Sequence, residues 1–367
     1  MITISLCMIV KNEEGILERC LDTVNQLVDE IIIVDTGSMD QTKAIARKFT
    51  DKIYDFLWID DFSAARNYAF EKATMDYILW LDADDLILVD DIIKFKKLKR
   101  EITGDTDVVM MRYNTGFDEQ GRTVFSYYRE RLSKRNRNFK WQEPVHEYLQ
   151  FGGKIVNADV CITHSKKKEM INSRNLKIYE KLLAKGEKLS PRGTYYYARE
   201  LKDNGRFQEA AKIFNQFLET GFGWAEDNIT ACSELAKCYQ LLNSPQKALE
   251  SMLHSFYYDT PRAELCCQIG YHFKAQGIYR QAAFWFELAL EVEKPINSWG
   301  FHQEDYWSYI PSIECAVCYD KLGNYEKAEH YNDRAARYKP DSPAVLYNKK
   351  YFESKKESSI LVVDDNE

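Results

Sequence analysis

The sequence predicts two domains of different fold classes, an α/β domain over residues 1–168 and an all-α domain over residues 169–356. Strand and helix signals alternate through the first segment, which is the pattern of a doubly wound, mostly parallel, Rossmann-like sheet with helices on both faces. From residue 172 to about residue 352 almost every stretch has helical periodicity, and the pattern repeats. Residues 357–367 are predicted to form a frayed tail.

The alternating pattern begins with residues 2–10, a run of β-branched and apolar residues, followed by residues 13–25, whose apolar side chains share one helical face. The continuous apolar run at 30–34 is typical of a strand buried on both faces of a parallel sheet. A turn over 35–38 is expected to cap the next helix. The later elements are expected at 41–49 (helix), 52–57 (strand), 63–73 (helix), 77–81 (strand), 86–99 (helix), 108–111 (strand) and 155–163 (strand). The helical period fades over 105–133, where strand-like runs predict a mixed sheet.

Four blocks of similar residues divide the second segment, and they begin at Ala198, Ala236, Gly270 and Ala316. Small and aromatic residues recur in the same order: Ala198, Gly205, Phe207 and Ala210 in the first block, Gly270, Gly277, Tyr279, Ala282 and Ala289 in the third, and Ala316, Gly323, Tyr325, Ala328 and Ala335 in the fourth. The second block is degenerate, with Asn243, Pro245 and Ala248, and an insertion near 294–305 lengthens the third. These residues resemble the tetratricopeptide repeat, a helix pair of about 34 residues. Residues 345–352 are expected to form a capping helix.

The composition excludes several classes of protein. A chain of 367 residues with 45% hydrophobic and 14% aromatic residues can bury a sizeable core, which excludes intrinsic disorder. The formal net charge of −7 argues against general nucleic-acid binding. No apolar stretch reaches the roughly 18 residues of a membrane span, no signal peptide is readable, and nine cysteines in no disulfide-like spacing indicate free thiols. We therefore expect a cytoplasmic protein with no membrane span.

Carboxylates follow two of the predicted strands. Asp35 comes directly after the second strand. A run of three follows the fourth strand: Asp82, Asp84 and Asp85. Ligands of open α/β sheets bind beyond the carboxyl ends of the strands, and clustered carboxylates favour a Mg²⁺ or Mn²⁺ ion. A second D-x-D, at 105–107, precedes its strand and so lies at the wrong end of the sheet. The alternative for the first is a solvated acidic turn that caps the following helix.

Four stretches of the first segment resemble family-2 glycosyltransferases of the GT-A fold, and they occur in the family's order. They are CMIVKNEE at 7–14, VDTGSMDQT at 34–42, FSAARN at 62–67 and LWLDADD at 79–85. A GT-A domain joined to tetratricopeptide repeats is similar to the peptide S-glycosyltransferases of the sublancin type. The same motifs also resemble the family-2 glucosyltransferases of the lipopolysaccharide core. Where the family usually has Asp-Gly-Ser after the second strand, this chain has a one-residue variant, Asp-Thr-Gly-Ser at 35–38.

The resemblance implies a nucleotide-sugar donor, with UDP as the expected nucleotide, and a divalent cation, Mg²⁺ or Mn²⁺, that neutralises the leaving nucleoside diphosphate. The nucleotide pocket would be lined by Ile9, Val10, Asn12 and Glu14. The other implied contacts are Asp35 to the uracil or ribose, Arg66 to the pyrophosphate, Asp82 to the ribose or metal, and Asp84 to the metal. His164 would add a metal ligand or, equally, be a satisfied interface histidine. For Arg66 the alternative is a surface salt bridge with Asp60 or Asp61.

An inverting transfer needs a base for the acceptor nucleophile. The resemblance places this base in the stretch WQEPVHE at 141–147. Glu147 is the preferred candidate, followed by His146 and then Glu143. A capping or purely structural role is the alternative for Glu147.

A basic run lies upstream of this stretch: Arg129, Arg131, Lys134, Arg135, Arg137 and Lys140. It could reach the donor phosphates or an acidic acceptor, and equally it could form a solvated face. A C-x-x-C at Cys315 and Cys318 lacks a second ligand pair, so small buried residues are expected there rather than a zinc site.

Together the motifs predict a metal-dependent, inverting glycosyltransferase that moves a hexose from a UDP-sugar to a peptide or protein acceptor, through a cysteine thiol or a serine hydroxyl. The repeats are expected to bind the acceptor or to mediate self-association as a homodimer. One alternative is a transferase that acts on a glycan or a lipopolysaccharide-type acceptor. Another is a non-catalytic interaction protein with a vestigial GT-A domain, against which the retained carboxylates and Arg66 argue.

Overall fold

The computed structural model describes residues 1–117, 121–165, 173–294 and 304–364. The described residues divide into two compact units, residues 1–196 and residues 197–294 with 304–364. The sequence predicts the boundary at residue 168 instead. The division falls later because the helix Arg174–Ala184 and the start of the next helix bond to a loop of the first unit.

The first unit is built from alternating strands and helices. Its strands are β1 Ile4–Val10, β2 Glu30–Asp35, β3 Ile53–Asp55, β4 Tyr77–Trp80, β5 Asp85–Leu86, β6 Val108–Phe117, β7 Thr123–Lys134, β8 Lys140–Gln142, β9 Tyr148–Gln150 and β10 Ile155–His164. Its helices are α1 Leu17–Val24, α2 Thr42–Ala46, α3 Phe62–Lys72, α4 Val89–Glu101, α5 Arg174–Ala184 and the start of α6 Pro191–Asp203.

The main sheet has the strand order β3-β2-β1-β4-β7-β6-β10-β5. Strands β1 to β4 are parallel where they pair, whereas β7 runs antiparallel to both β4 and β6. The predicted α/β sheet with a mixed portion is therefore confirmed. Since β1, β2 and β4 are parallel, the residues that follow them meet at one edge of the sheet. At the far end, β5 pairs antiparallel with β10 and sets Asp85 opposite His164.

The sheet is buried on both faces, as the apolar run of β2 predicts. On one face, Leu6 and Met8 of β1 pack with residues of α1 and α4. On the other face, Cys7 and Val34 pack with α3 and with Trp141 of β8. The two packed layers fix the strand ends that carry the predicted site residues.

Several predicted elements differ in length from those observed. Helix α1 begins at Leu17 because the preceding residues form a turn closed on the carbonyl of Glu13. Helix α2 is short, and the turn at 35–38 does not cap it. Its N-cap residue is Gln41, and Oδ1 of the preceding Asp40 accepts a hydrogen bond from the amide of Thr42 at 3.0 Å. The strand expected at 108–111 is part of the longer hairpin formed by β6 and β7.

The second unit consists of helices. They are the end of α6, then α7 Phe207–Thr220, α8 Ala225–Leu241, α9 Pro245–His254, α10 Ala263–Ala275, α11 Tyr279–Glu291, α12 Tyr309–Lys321, α13 Tyr325–Tyr338 and α14 Pro343–Asp364. The helices of the second to fourth predicted blocks pack as pairs, α8 with α9, α10 with α11 and α12 with α13. The prediction of an all-α repeat region is therefore confirmed.

Left-handed turns separate the two helices of each block. Gly205, Gly277 and Gly323 have φ angles of +78°, +74° and +75°. In the degenerate second block Asn243 takes this position with φ +52°, which is possible because asparagine tolerates the left-handed region better than most residues. Gly270 serves a different purpose, because a Cβ atom there would lie 2.8 Å from the ring of Phe286 and push α10 away from α11.

The C-terminal part of the chain is more helical than the sequence predicts. Helix α14 contains the expected capping helix and continues through Asp364, into the segment predicted to be frayed. The insertion predicted near 294–305 lies mostly outside the described residues. Within the described parts of the chain, every helix is too short or too polar to cross a lipid bilayer.

Candidate active site

Asp35 stands at the edge where the parallel strands end. Its side chain is 1% exposed, and its Oδ2 accepts hydrogen bonds from the amides of Gly37 and Ser38, at 3.1 and 3.0 Å. The other oxygen, Oδ1, is buried and has no hydrogen-bond partner among the described residues. A buried acceptor that lacks a partner is costly unless a ligand supplies a donor. The geometry therefore leaves Asp35 able to accept an N–H or O–H.

Asn12 and Glu14, predicted to line the nucleotide pocket, shape the loop after β2. Asn12 has a left-handed backbone, φ +56°, and its Oδ1 accepts the Met39 amide at 2.8 Å. Glu14 accepts the Gln41 amide at 2.9 Å. The remaining two predicted pocket residues, Ile9 and Val10, end strand β1 beside Asp35. The four residues thus lie at the same edge of the sheet. Ile9 and Val10 belong to the strand, and Asn12 and Glu14 hold the neighbouring loop.

Arg66 joins two of the predicted site carboxylates. Its side chain is 9% exposed, its Nε donates to Oε1 of Glu147 at 2.7 Å, and its Nη2 donates to Oδ1 of Asp82 at 2.8 Å. The guanidinium also lies over the rings of Trp80 and Trp141, 5.0 and 4.9 Å from their centroids. Such a planar, two-sided cation suits the bridging of two anions.

The alternative for Arg66, a surface salt bridge with Asp60 or Asp61, is not formed. Asp61 caps α3 by accepting the Ala64 amide at 2.9 Å. Asp60 pairs instead with Lys181, at 2.6 Å. Arg66 is therefore paired with Asp82 and Glu147 rather than with these two residues.

Asp84 and His164 come together as a candidate metal centre. Nδ1 of His164 lies 3.4 Å from an oxygen of Asp84 and 3.7 Å from one of Asp85. One ligand atom from each of these three residues lies within 4.8 Å of the others. Asp82 is the third residue predicted to bind metal, but its Oδ1 accepts a hydrogen bond from Arg66 instead.

One of the candidate metal residues, His164, carries a positive charge itself. Hydrogen bonds to Asp84 and Asp85 raise the pKa of His164 to about 9. The imidazole is therefore protonated at neutral pH and balances the two carboxylates. Once the imidazole has lost its proton, the ring nitrogen of His164 and a carboxylate oxygen of Asp84, whose side chains are 25% and 19% exposed, would form a donor set that fits a divalent cation.

The sequence did not single out Asp85 as distinct from its neighbours, yet it is the fully buried member of the run. Its Oδ2 pairs with Nη1 of Arg131 at 2.9 Å, and this arginine lies between the rings of Trp80 and Tyr113. Oδ2 of Asp85 also accepts the amide of Asp82 at 3.0 Å, which closes the acidic turn. Asp85 thus fixes the turn that presents Asp84.

Glu13 is a second residue that sequence reasoning missed. Burial and then the charges of Asp84, Asp82 and Asp40 raise its pKa to about 7. Its carboxyl therefore lies close to the acidic strand end. The signal available in the sequence was its position in the same motif as Asn12.

The basic run separates into two groups. Arg129 and Arg131, two residues apart on β7, both lie over the Trp80 ring at the site. The other four lie at or just after the last residue of β7, away from Trp80, and one of them, Arg137, pairs with Asp107. The period of a strand, two residues, was the signal that could have separated them.

The three candidate bases lie in one loop between β8 and β9, residues 143–147, which we call the base loop. Glu147 reaches Arg66, whereas Glu143 accepts a hydrogen bond from Ser190 at 2.5 Å and His146 stacks on Tyr196. Burial raises the pKa of Glu147, but the charge and hydrogen bond of Arg66 outweigh it, so the pKa lies below its ordinary value. Glu147 is therefore an ionised carboxylate at neutral pH, able to accept a proton.

One cysteine contacts the site, since the thiol of Cys20 donates to the backbone carbonyl of Asp82 at 3.5 Å. All nine are free thiols, and burial raises the pKa of Cys315 above its ordinary value. The expectation that Cys315 and Cys318 are small buried residues agrees with their zero exposure.

These features define the class of the first unit. An α/β sheet with carboxylates beyond its parallel strands is the arrangement that the resemblance to GT-A glycosyltransferases predicts. Residues 5–159 match the model of glycosyl transferase family 2. The chain therefore carries a family 2 glycosyltransferase domain at its N-terminus.

Two relatives and one solved structure show the extent of the similarity. A TPR repeat-containing protein of Synechococcus elongatus is 39% identical over 154 residues, 41% of this chain and 36% of that protein. The SPbeta prophage-derived glycosyltransferase SunS of Bacillus subtilis is 31% identical over 233 residues, 59% of this chain and 54% of SunS. The C-terminal part of a TPR repeat-containing protein of Cytophaga hutchinsonii aligns with a TM-score of 0.42 and 15% identity, covering 51% of this chain and 67% of that chain. The chain thus spans about half or less of the length of these two relatives.

Proposed function

We propose that the protein is a divalent-cation-dependent, inverting glycosyltransferase that moves a hexose from a UDP-sugar to a peptide or protein acceptor. The observation that carries the proposal is the bridge of Arg66 between Asp82, at the strand edge expected to hold the donor, and Glu147, the candidate base. The buried guanidinium of Arg66 thereby links the donor side of the site to the acceptor side.

On the donor side, the unpartnered Oδ1 of Asp35 supports uracil, whose ring offers an N–H. Arg66, with a pyrophosphate nearby, would direct its remaining N–H donors at phosphate oxygens. Asp84 and His164 would hold the cation, which when bound supplies charge to stabilise the leaving nucleoside diphosphate. Asp85, held by Arg131, keeps the turn that carries Asp84 in place.

On the acceptor side, Glu147 would remove the proton from the nucleophile as it attacks the sugar carbon. A carboxylate whose pKa is held below its ordinary value is a weak base. Such a base matches a cysteine thiol, with a pKa of about 8.5, better than a serine hydroxyl, which is far less acidic. The site therefore favours a thiol among the two predicted nucleophiles.

The second unit supports the proposed acceptor class. Stacked helix pairs present extended surfaces of the kind that bind peptides, which supports a peptide or protein acceptor over a glycan. Self-association through the repeats and a cytoplasmic location stay predictions.

The donor assignment can be tested by calorimetry on the full chain with UDP, with and without Mn²⁺ or Mg²⁺. UDP should bind tightly only with the cation, and Asp84→Asn should weaken binding at least tenfold. Asp105→Asn is the matched control, because Asp105 belongs to the D-x-D at the wrong end of the sheet and pairs with Lys154. Equal UDP affinity in EDTA or in Asp84→Asn would refute the metal assignment, and preference for another nucleotide would refute uridine.

A panel of UDP-sugars with cysteine peptides, serine peptides and oligosaccharides then tests the acceptor. Transfer to a peptide supports the proposal. Transfer to oligosaccharides alone would replace the peptide acceptor with a glycan, and UDP-sugar binding without any turnover would favour the non-catalytic alternative.

A further inference from the structure

The base loop, residues 143–147, has a backbone that it would not adopt by itself. Glu143 has φ +71° and His146 has φ +53°. Both angles lie in the left-handed region that residues with a side chain rarely occupy, and such positions persist where surrounding structure holds them. The loop therefore depends on its contacts, and three helices of the first unit provide them.

Helix α3 holds two residues of the base loop, Pro144 and Glu147. The Phe62 amide donates to the carbonyl of Pro144 at 2.9 Å. Arg66, one turn further along α3, donates to Glu147. These contacts come from within the segment that matches the family model.

Helix α5 and the start of α6 hold the other three residues, and both lie beyond the matched segment. The hydroxyl of Tyr179, a fully buried residue of α5, donates to the carbonyl of Val145 at 3.4 Å. The Ser190 hydroxyl donates to Oε1 of Glu143 and also accepts the amide of Gly193, at 2.9 Å, as the cap of α6. Every residue of the base loop is thus held from outside the loop.

The N-terminus of α6 is shaped to receive Glu143. A Cβ atom at Gly193 would lie 3.2 Å from Oε2 of Glu143, so the carboxylate sits directly against the first turn of the helix. The positive end of the helix dipole stabilises a carboxylate in this position. Glu143, the third candidate base, is therefore engaged in holding the loop.

His146 is held on its ring and on its backbone. Its ring stacks on Tyr196, with centroids 4.2 Å apart and planes at 16°. Its carbonyl accepts from Nε and Nη2 of Arg192, both at 3.4 Å. The guanidinium of Arg192 also lies over the rings of Tyr196 and Tyr148, at 4.7 and 5.0 Å. His146 is thereby fixed immediately before Glu147.

We propose that Tyr179, Ser190, Arg192 and Tyr196 are positioning residues that complete the active site from outside the family-2 segment, by holding the base loop so that Glu147 reaches Arg66. The proposal rests on the proposed function in assigning the base role to Glu147. It also explains why the first compact unit extends to residue 196. The last residues of the first unit, 190–196, therefore position the base loop and are not a linker to the second unit.

The test uses the full chain with Tyr196→Leu, which removes the stacking ring, and Tyr196→Phe, which keeps it. Tyr257→Leu is the matched control, because Tyr257 is an exposed tyrosine of the second unit. We expect Tyr196→Leu to lower kcat for transfer from the UDP-sugar by about 10- to 100-fold, since small misplacements of a catalytic group have such effects. The donor KM and the affinity for UDP should change less than twofold, and Tyr196→Phe should recover most of kcat.

The pH profile of kcat separates positioning from general damage. The charged groups that face Glu147 are Arg66 from α3 and Arg129 from β7. If the loop shifts, Glu147 loses Arg66, and the acid limb of the profile in Tyr196→Leu moves to higher pH. Wild-type kcat in Tyr196→Leu, or equal losses of kcat and UDP affinity with an unmoved acid limb, would overturn the proposal.

Hydrogen exchange tests the same proposal without using activity. In Tyr196→Leu the amides of the base loop should exchange at least tenfold faster, while those of strand β1 keep their protection. Unchanged exchange in the loop would overturn the positioning role. If the wild-type chain turns over no nucleotide sugar, the proposed function fails, and the exchange result still decides whether α6 holds the loop.

Discussion

Replacing Arg66 with methionine removes the one cation that bonds to both Asp82 and Glu147 in the described site. The two carboxylates are 38% and 14% exposed, and each loses a charged hydrogen bond shorter than 3 Å. Methionine keeps the apolar stem between Trp80 and Trp141, so lost packing contributes little. The perturbation is therefore mainly electrostatic.

The magnitude follows from the burial of the two partners. Removing one member of a buried ion pair costs roughly 3–5 kcal/mol, because the remaining charge stays without compensation. Asp82 is accessible enough to regain water, and Arg129 still faces Glu147. We therefore expect Arg66→Met to lower the free energy of unfolding of the first unit by about 3 kcal/mol, at the lower end of this range.

Urea unfolding of the full chain at pH 7 measures this loss. Arg137→Met is the matched control, since that arginine is half exposed and pairs with one carboxylate, and it should cost below about 1 kcal/mol. In the double variant Arg66→Met with Glu147→Gln, part of the loss should return, because no uncompensated charge then remains at position 147. A loss below about 1 kcal/mol for Arg66→Met, or full additivity in the double variant, would refute the reasoning.

Three further predictions concern acid stability, repeat packing and the nucleophile. Burial raises the pKa of Glu30, but its hydrogen bonds, led by Lys52, outweigh this and lower it to about 2. The stabilisation is therefore present above about pH 4.5 and lost as the pH falls towards 2, and acid titration should cost the wild type about 2 kcal/mol more than Glu30→Gln. Gly270→Ala should destabilise the second unit by about 1–3 kcal/mol, because the added methyl group overpacks against Phe286. Gly104→Ala is the control, since open space surrounds that position, and it should not destabilise the protein. Melting curves of the two variants that coincide would contradict this prediction. Glu147→Gln should slow transfer to a serine peptide far more than to its cysteine counterpart, because a thiol is partly ionised near pH 7, and equal losses would remove Glu147 from the base role.

The layers of the fold were predictable because their signals are local. A strand buried on both faces needs a continuous apolar run, and β2 has one. A turn between repeat helices needs a left-handed residue, so Gly205, Gly277 and Gly323 mark the turns. Even the degenerate block followed the rule, with Asn243 in the same conformation.

The site was only partly predictable, because its decisive contacts join residues far apart in sequence. Arg66 had Asp60 and Asp61 as near neighbours, and nothing local indicated that these would be used by Lys181 and by the cap of α3. Its actual partner Glu147 lies 81 positions away. Position beyond a strand end identified the carboxylates, and the family resemblance identified Arg66 and Glu147, whereas their pairing required the sheet to be assembled.

The acidic run shows how this limit arises. Asp82, Asp84 and Asp85 are chemically equivalent in the sequence, and the fold gives them three different environments. The short strand β5 pairs with β10, which buries Asp85 against Arg131 and sets His164 beside Asp84. Asp82, left outside this pairing, turns to Arg66. One antiparallel pairing therefore separates the buried, structural carboxylate of Asp85 from that of Asp84, the candidate metal ligand. The tripeptide D-x-D does not distinguish these roles by itself, whereas the pairing of the strand that follows it does.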